Sequence, residues 1–135
     1  MNLAFIIVDD SELDCFVAKK IIEQKDKSIK VTAYLEASVA LKDISENTDT
    51  LSDELTIILL DLRLPLMNGF EFMEEFQKLP YAIQDKYIIY VLSSTRNQSD
   101  INRIYCYKNV VRIISKPLTK SSFGSLMTEV ESMDL

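Results

Sequence analysis

Three acidic residues, a run of hydroxyls and one lysine carry the chemistry open to this sequence. The doublet Asp9-Asp10 follows the apolar run Leu3–Val8, and Asp61 follows the aliphatic residues Ile57 to Leu60. Ser93-Ser94-Thr95 follows Tyr87–Leu92, and Ser115-Lys116-Pro117 follows Val110–Ile114. Taken singly, an aspartate at the end of a strand is most often a turn residue or a helix N-cap. Taken together, three carboxylates gathered in one place repel one another, and one ammonium does not balance them. A hard divalent cation would. Mg²⁺ takes oxygen ligands and often bridges carboxylates to a phosphoryl group. The set reads as a Mg²⁺ site beside a nucleophilic or anchoring carboxylate, on the condition that the fold brings its members together.

The elements that must do so are legible as five strand-like runs alternating with five helix-like segments. The strands are expected at Leu3–Val8, Ile29–Leu35, Leu55–Leu60, Tyr87–Leu92 and Val110–Ile114. The first, third and fourth are almost unbroken apolar runs, as parallel strands covered on both faces require. The second alternates Ile29, Val31, Ala33 and Leu35 with other residues, and the fifth carries Arg112 in its middle, so both are expected at sheet edges. Helical stripes follow at Leu13/Phe16/Val17/Ile21, Ala37/Ala40/Leu41/Ile44, Phe72/Met73/Phe76/Leu79, Ile101/Ile104/Tyr105 and Phe123/Leu126/Met127/Val130. Each stripe is expected to pack in the core.

Strict βα alternation implies right-handed crossovers and a doubly wound parallel sheet. With the second and fifth strands at the edges, the expected architecture is α/β: a flavodoxin-like three-layer fold with strand order 2-1-3-4-5 and five helices. Ligands in such folds bind outside the carboxyl ends of the strands, at the switch point between strands one and three. The fold is expected to bring all of the candidate residues to that edge of the sheet. Lys116, before a proline, is biased toward an extended backbone and is expected to point its ammonium along that edge.

Size and composition narrow the classes. A chain of 135 residues is expected to form one domain with a core of its own and no room for a second. The formal charge of −6, without a basic cluster, argues against direct nucleic-acid binding. The absence of histidine excludes Ser-His-Asp and Cys-His catalysis and makes a zinc or haem site very improbable. Cys15 and Cys106 lack any ligand spacing. No segment reaches transmembrane length and none has the form of a signal sequence, so no membrane association and a reducing, cytoplasmic setting are expected.

The ordered set of motifs resembles the receiver domain of two-component response regulators, and the resemblance spans essentially the whole chain. It rests on Val8-Asp9-Asp10, on Asp61-Leu-Arg-Leu-Pro-Leu-Met-Asn-Gly69, on the hydroxyls after the fourth strand and on Ser115-Lys116-Pro117. Residue by residue, it implies that Asp61 is the phosphoacceptor, that Asp10 is a direct Mg²⁺ ligand and that Asp9 acts through metal-bound water. The main-chain carbonyl of Arg63 would be a further metal ligand. Ser93 matches the hydroxyl that meets the phosphoryl group, with Ser94 taking that role in an alignment one place later, and Lys116 matches the lysine that pairs with the phosphoryl group.

The resemblance further implies a phosphorylation-dependent switch over residues 1–135 with no output domain, catalysing its own phosphotransfer and dephosphorylation without being a conventional enzyme. Its phosphoryl donor would be a sensor histidine kinase or a histidine phosphotransfer protein. Its output would go to a protein partner, or a second copy of the chain, through the face made by the fourth helical stripe, the fifth strand and the last helix. The pattern departs from the family at Ile113, where receivers carry Tyr or Phe. Tyr105 and Tyr107 are expected to be surface and core tyrosines rather than substitutes. Arg63 and Thr95 occupy positions that influence phosphoryl lifetime in the family.

Other classes fit less well. A phosphohydrolase of the haloacid dehalogenase type carries a second acid two residues past its nucleophile, where this chain has Arg63. An FMN or nucleotide binder would place phosphate after the first strand, where Asp9, Asp10 and Glu12 repel it. A degenerate receiver used as a scaffold would not need the near-complete set of acids, hydroxyl and lysine.

Overall fold

A computed structural model describes residues 2–49 and 52–133. The elements run β1 (Leu3–Val8), α1 (Glu12–Lys25), β2 (Lys30–Tyr34), α2 (Ala37–Ser45), β3 (Leu55–Asp61), α3 (Gly69–Phe76), α4 (Tyr81–Gln84), β4 (Tyr87–Leu92), α5 (Gln98–Ile104), β5 (Val110–Ile114) and α6 (Lys120–Glu131). All strand pairs are parallel, in the order β2-β1-β3-β4-β5. The flavodoxin-like arrangement expected from the sequence is the one observed.

Period-two alternation divides the strands' side chains between two cores. Ile58 and Leu60 of β3 join Ala37, Ala40 and Ile44 of α2, Phe72, Met73 and Phe76 of α3, and Ile104 of α5 on one face. Ile57 and Leu59 join Cys15, Ala18 and Ile22 of α1 and Phe123, Leu126, Met127 and Val130 of α6 on the other. Because β3 is sandwiched, all seven of its residues are buried. That explains its unbroken apolar composition and the burial of Asp61 with it.

Four of the six described helices, α1, α3, α5 and α6, start at side-chain caps that satisfy a first backbone N–H group. Ser11 Oγ accepts the Asp14 N–H, and Asn97 caps α5 in the same way. Asn68 with Glu71, and Thr119 with Ser122, form reciprocal capping boxes at α3 and α6.

Three expectations change. A single helical turn, α4, begins after Pro80 and interposes between α3 and β4, so the described residues hold six helices rather than five, and the fourth amphipathic stripe lies on α5. Asp61 is the last residue of β3, Cα-paired with Leu92, rather than the first residue beyond it. The α1 stripe of Leu13, Phe16 and Val17 faces outward: Leu13 is 69% and Phe16 59% exposed. The inner face of α1 is instead Cys15, Ala18 and Ile22, where two small residues line the contact with the sheet. A periodic stripe of large side chains thus marked the outer side of this helix.

Gly69 opens α3 against the end of β3. Its N–H donates to the Leu62 carbonyl at 2.9 Å. A Cβ at this position would lie 2.9 Å from Leu62 Cα and 3.1 Å from the Asp61 carbonyl oxygen, both backbone atoms that cannot rotate away. Close approach, not an unusual φ, is what calls for glycine here. Three residues earlier, Leu66 takes a left-handed φ of 64° at 88% exposure. Gly69→Ala is expected to lower the urea-unfolding free energy by about 1–3 kcal/mol and to shift the Asp61 amide resonance. An alanine variant with unchanged stability would show that β3 and α3 can part without cost.

Candidate functional site

Strand register assembles the site. Val8 is the Cα partner of Leu60, Asp61 of Leu92, and Leu92 of Ile114. Four strands therefore end level, and the next residues of each, Asp9-Asp10, Leu62-Arg63, Ser93-Ser94 and Ser115-Lys116, come out at one edge. One oxygen from each of Asp9, Asp10 and Asp61 lies within 4.8 Å of the others. Asp9 and Asp61 are buried and Asp10 is exposed.

Lys116 holds the centre. Its Nζ lies 2.9 Å from Asp9 Oδ2, 3.0 Å from Asp61 Oδ2 and 3.3 Å from Asp14 Oδ2. The Lys116–Pro117 peptide is cis. The other carboxylate oxygens are also held: Asp9 Oδ1 accepts the Ser11 N–H at 2.9 Å, and Asp61 Oδ1 accepts the Arg63 N–H at 3.2 Å. Both buried carboxylates are thereby held in a defined orientation.

The electrostatics follow from burial. Burial pushes the Asp9 carboxyl above the ordinary aspartate value, and the Ser11 N–H and Lys116 only partly offset it. Burial also opposes the Lys116 ammonium, but its hydrogen bonds to Asp9 and Asp61 outweigh that and hold its pKa above the usual lysine range. Lys116 is therefore charged throughout the physiological range. Cys15, whose Sγ lies 3.3 Å from the Asp9 carbonyl, is pushed up to about 11 by burial and then by the Asp9 and Asp14 charges. It stays a thiol and adds no ligand or nucleophile.

Asp61, Arg63, Ser93, Ser94, Thr95 and Lys116 line one open cleft. Ser93 is buried, and its Oγ accepts the Thr95 N–H at 3.0 Å. Ser94 is exposed, and its Oγ donates to the Lys116 carbonyl at 3.3 Å. The two serines thus have different employment, one bracing the loop after β4 and the other tying that loop to β5. Asp9 and Asp10 stand beside this cleft, Asp9 on Lys116 and both in the oxygen cluster with Asp61, so the acids, hydroxyls and lysine singled out in the sequence meet at this edge. Asp14 is one that sequence reasoning missed; the signal was its position one helical turn after Asp10, in the first turn of α1.

Away from the cleft, Ile113 is half-buried on β5, and its N–H donates to the Tyr105 hydroxyl at 3.2 Å. Tyr105 is half-exposed, and Tyr107 is buried with its hydroxyl on Glu74 Oε1, as a surface and a core tyrosine should be. No helix among the described residues is long and apolar enough to cross a membrane.

A family model for the response regulator receiver domain matches residues 5–128. The chain belongs to that family. Its family function is that of a phosphorylation-dependent switch in two-component signalling. Among solved structures, it resembles a response regulator receiver protein of Dyadobacter fermentans at 31% identity and TM-score 0.80, covering 94% of this chain and 96% of that one. A two-component response regulator of Cytophaga hutchinsonii shares the fold at 22% identity and TM-score 0.83, covering 98% of both chains. The receiver domain of a sensor histidine kinase from Pseudomonas aeruginosa shares it at 16% identity and TM-score 0.73, over 96% of this chain and 97% of that one; it holds a magnesium ion in its active-site cleft. A curated relative is the protein-glutamate methylesterase/protein-glutamine glutaminase of Thiobacillus denitrificans, 28% identical over 93% of this chain; the chain spans about a third (33%) of that relative's length.

Because its folded pKa is raised, ionising Asp9 works against this receiver's fold. The stability tied to the group is fully present below the unfolded value and is lost as pH rises through the folded pKa. In chelator, Asp9→Asn is expected to be more stable than the wild type at neutral pH, with the gap closing in acid; urea unfolding at both pH values checks this. A less stable variant at neutral pH would show that the ion pair with Lys116 outweighs burial.

Proposed function

We propose that Asp61 accepts a phosphoryl group from a phosphohistidine, carried by a sensor histidine kinase or a histidine phosphotransfer protein. The observation that carries this reading is the Lys116 ammonium 3.0 Å from Asp61 Oδ2 in a cleft that Ser93 also lines, with Asp9 and Asp10 within 4.8 Å of Asp61 through one oxygen each. A carboxylate oxygen of Asp61 attacks phosphorus, the P–N bond to the donor imidazole breaks, and the imidazole leaves with a proton. The product is an acyl phosphate. Water returns it to the carboxylate and inorganic phosphate. Lys116 meets the charge on the phosphoryl oxygens, and the Ser93 hydroxyl, whose oxygen accepts the Thr95 N–H, has its own hydrogen to donate.

The donor set at this edge is made of hard carboxylate oxygens, with no histidine in the chain, which suits Mg²⁺ and not zinc. Asp10 and Asp61 with the Arg63 carbonyl would hold the ion, and Asp9 would reach it through water. When bound, it supplies positive charge against the phosphoryl oxygens.

We read residues 1–135 as one receiver unit that acts through its surface, in a cytoplasmic setting. Its catalysis is confined to its own phosphorylation and dephosphorylation. The exposed apolar residues Leu13 and Val17 line an apolar groove with Pro117 and Leu118 that also reaches Asp9 and Lys116, and Phe16 is exposed on the same helix. They suit a donor that must cover Asp61 during transfer. Output is proposed through the face of α5, β5 and α6, to a protein partner or a second copy of the chain. Tyr105, which bridges α5 to β5 there, stands close to where the family's aromatic ring would act.

Incubation with Mg²⁺ and acetyl phosphate, followed by intact mass measurement, tests this reading. A base-labile phosphoryl adduct is expected for the wild type and not for Asp61→Asn or in chelator. Lys116→Ala is expected to retain Mg²⁺ binding while losing the conformational response to phosphorylation. A wild type that takes no adduct and binds no Mg²⁺ would instead support a scaffold role.

A further inference from the structure

We infer that Asp14 is a positioning residue for phosphotransfer: from α1 it engages the Lys116 ammonium and withholds part of it from the phosphoryl group on Asp61. The inference rests on the reading of Asp61 as phosphoacceptor.

An ammonium has three N–H donors. Here three carboxylates surround it, Asp9 at 2.9 Å, Asp61 at 3.0 Å and Asp14 at 3.3 Å. Every donor has a charged acceptor within reach before any phosphoryl group arrives. Phosphorylation then moves the negative charge. The Asp61 carboxylate becomes a neutral acyl group, and the charge reappears on the phosphoryl oxygens further out in the cleft. Lys116 must follow it.

Asp9 is a fixed anchor, buried and with its other oxygen tied to the Ser11 N–H, and it holds the ammonium in place before and after transfer. Asp14 is different. It stands on the first turn of α1 with its side chain 41% exposed, in a groove that Lys116 also lines, whereas Ser93–Thr95 line the separate cleft that Lys116 shares with Asp61. Its carboxylate draws Lys116 toward α1. The same charge repels an incoming phosphoryl group and attracts a cation.

These effects give Asp14 a signature of two opposite signs. Removing its charge frees Lys116 for a phosphoryl oxygen and lifts the repulsion, so an anion in the cleft binds more tightly. It also removes negative potential and leaves Lys116 free to settle on Asp9 and Asp61, so Mg²⁺ binds more weakly. An acid in the first turn also stabilises a helix through its dipole. Loss of that role alone would weaken the fold and would not move the two affinities in opposite directions. The N-cap survives substitution, because Ser11 Oγ accepts the backbone N–H of residue 14 and not its side chain.

Wild type, Asp14→Asn and Asp14→Glu are compared in three measurements: Mg²⁺ affinity, affinity for beryllofluoride at saturating Mg²⁺, and urea unfolding. Amide chemical shifts report both affinities, and beryllofluoride stands for the phosphoryl group. For a half-exposed ion pair, Asp14→Asn is expected to bind beryllofluoride about two- to fivefold more tightly. It should bind Mg²⁺ more weakly, and Asp14→Glu should return both affinities toward the wild type. Two affinities that fall in parallel with stability, or that stay unchanged while the wild type binds both probes, overturn the role of Asp14 alone. A wild type that binds Mg²⁺ but no beryllofluoride overturns the phosphoacceptor reading, and the role of Asp14 with it.

Discussion

One ammonium shared among buried and half-buried carboxylates is the constraint on which the rest of the structure depends. Lys116 can stand beside Asp9 and Asp61 because β1, β3, β4 and β5 end level: β1, β3 and β4 keep an unbroken parallel register along apolar runs, and β5 joins β4 through a register shift at Ile89/Tyr90 that pairs Leu92 with Ile114. A slip of one residue would turn Ile57 and Leu59 to the wrong core and move Asp61 out of the cleft. Burial of β3 and placement of Asp61 are thus the same requirement. The carboxylate at the end of a sandwiched strand is tolerated because a positive charge meets it there.

Much of this was legible in the residues themselves. Leu3–Val8 and Tyr87–Leu92 read as central strands because only apolar side chains suit a strand covered on both sides, and their observed limits agree. The edge strands declared themselves through the alternation in β2 and through Arg112 in β5. The cleft followed from topology, since strands with this order deliver their carboxyl ends to one place.

What was not legible depended on side-chain size and on contacts distant in sequence. The outward turn of Leu13, Phe16 and Val17 could not be seen from periodicity, because the inner stripe of α1 is built partly from the small residues Cys15 and Ala18. The single turn of α4 is too short to carry a period. Asp14 looked like an ordinary first-turn acid, and only the approach of Lys116 from the end of β5 gives it a second contact. The sequence matched Ser93 to the phosphoryl-facing hydroxyl and kept Ser94 as the alternative of an alignment one place later; the contacts that distinguish them, a buried hydroxyl oxygen on the Thr95 N–H and an exposed hydroxyl on the Lys116 carbonyl, are tertiary. Ile113 marked a missing ring, but the hydrogen bond from its N–H to Tyr105 belongs to tertiary structure.

The central claim is that β3 delivers Asp61, and not its acidic neighbours, to the phosphoryl group. Borohydride reduction of the protein treated with acetyl phosphate and Mg²⁺ tests it most directly, since it converts an aspartyl phosphate to homoserine at the modified residue. Peptide mapping should find homoserine at position 61. Homoserine at position 9 or 10 instead would contradict the account.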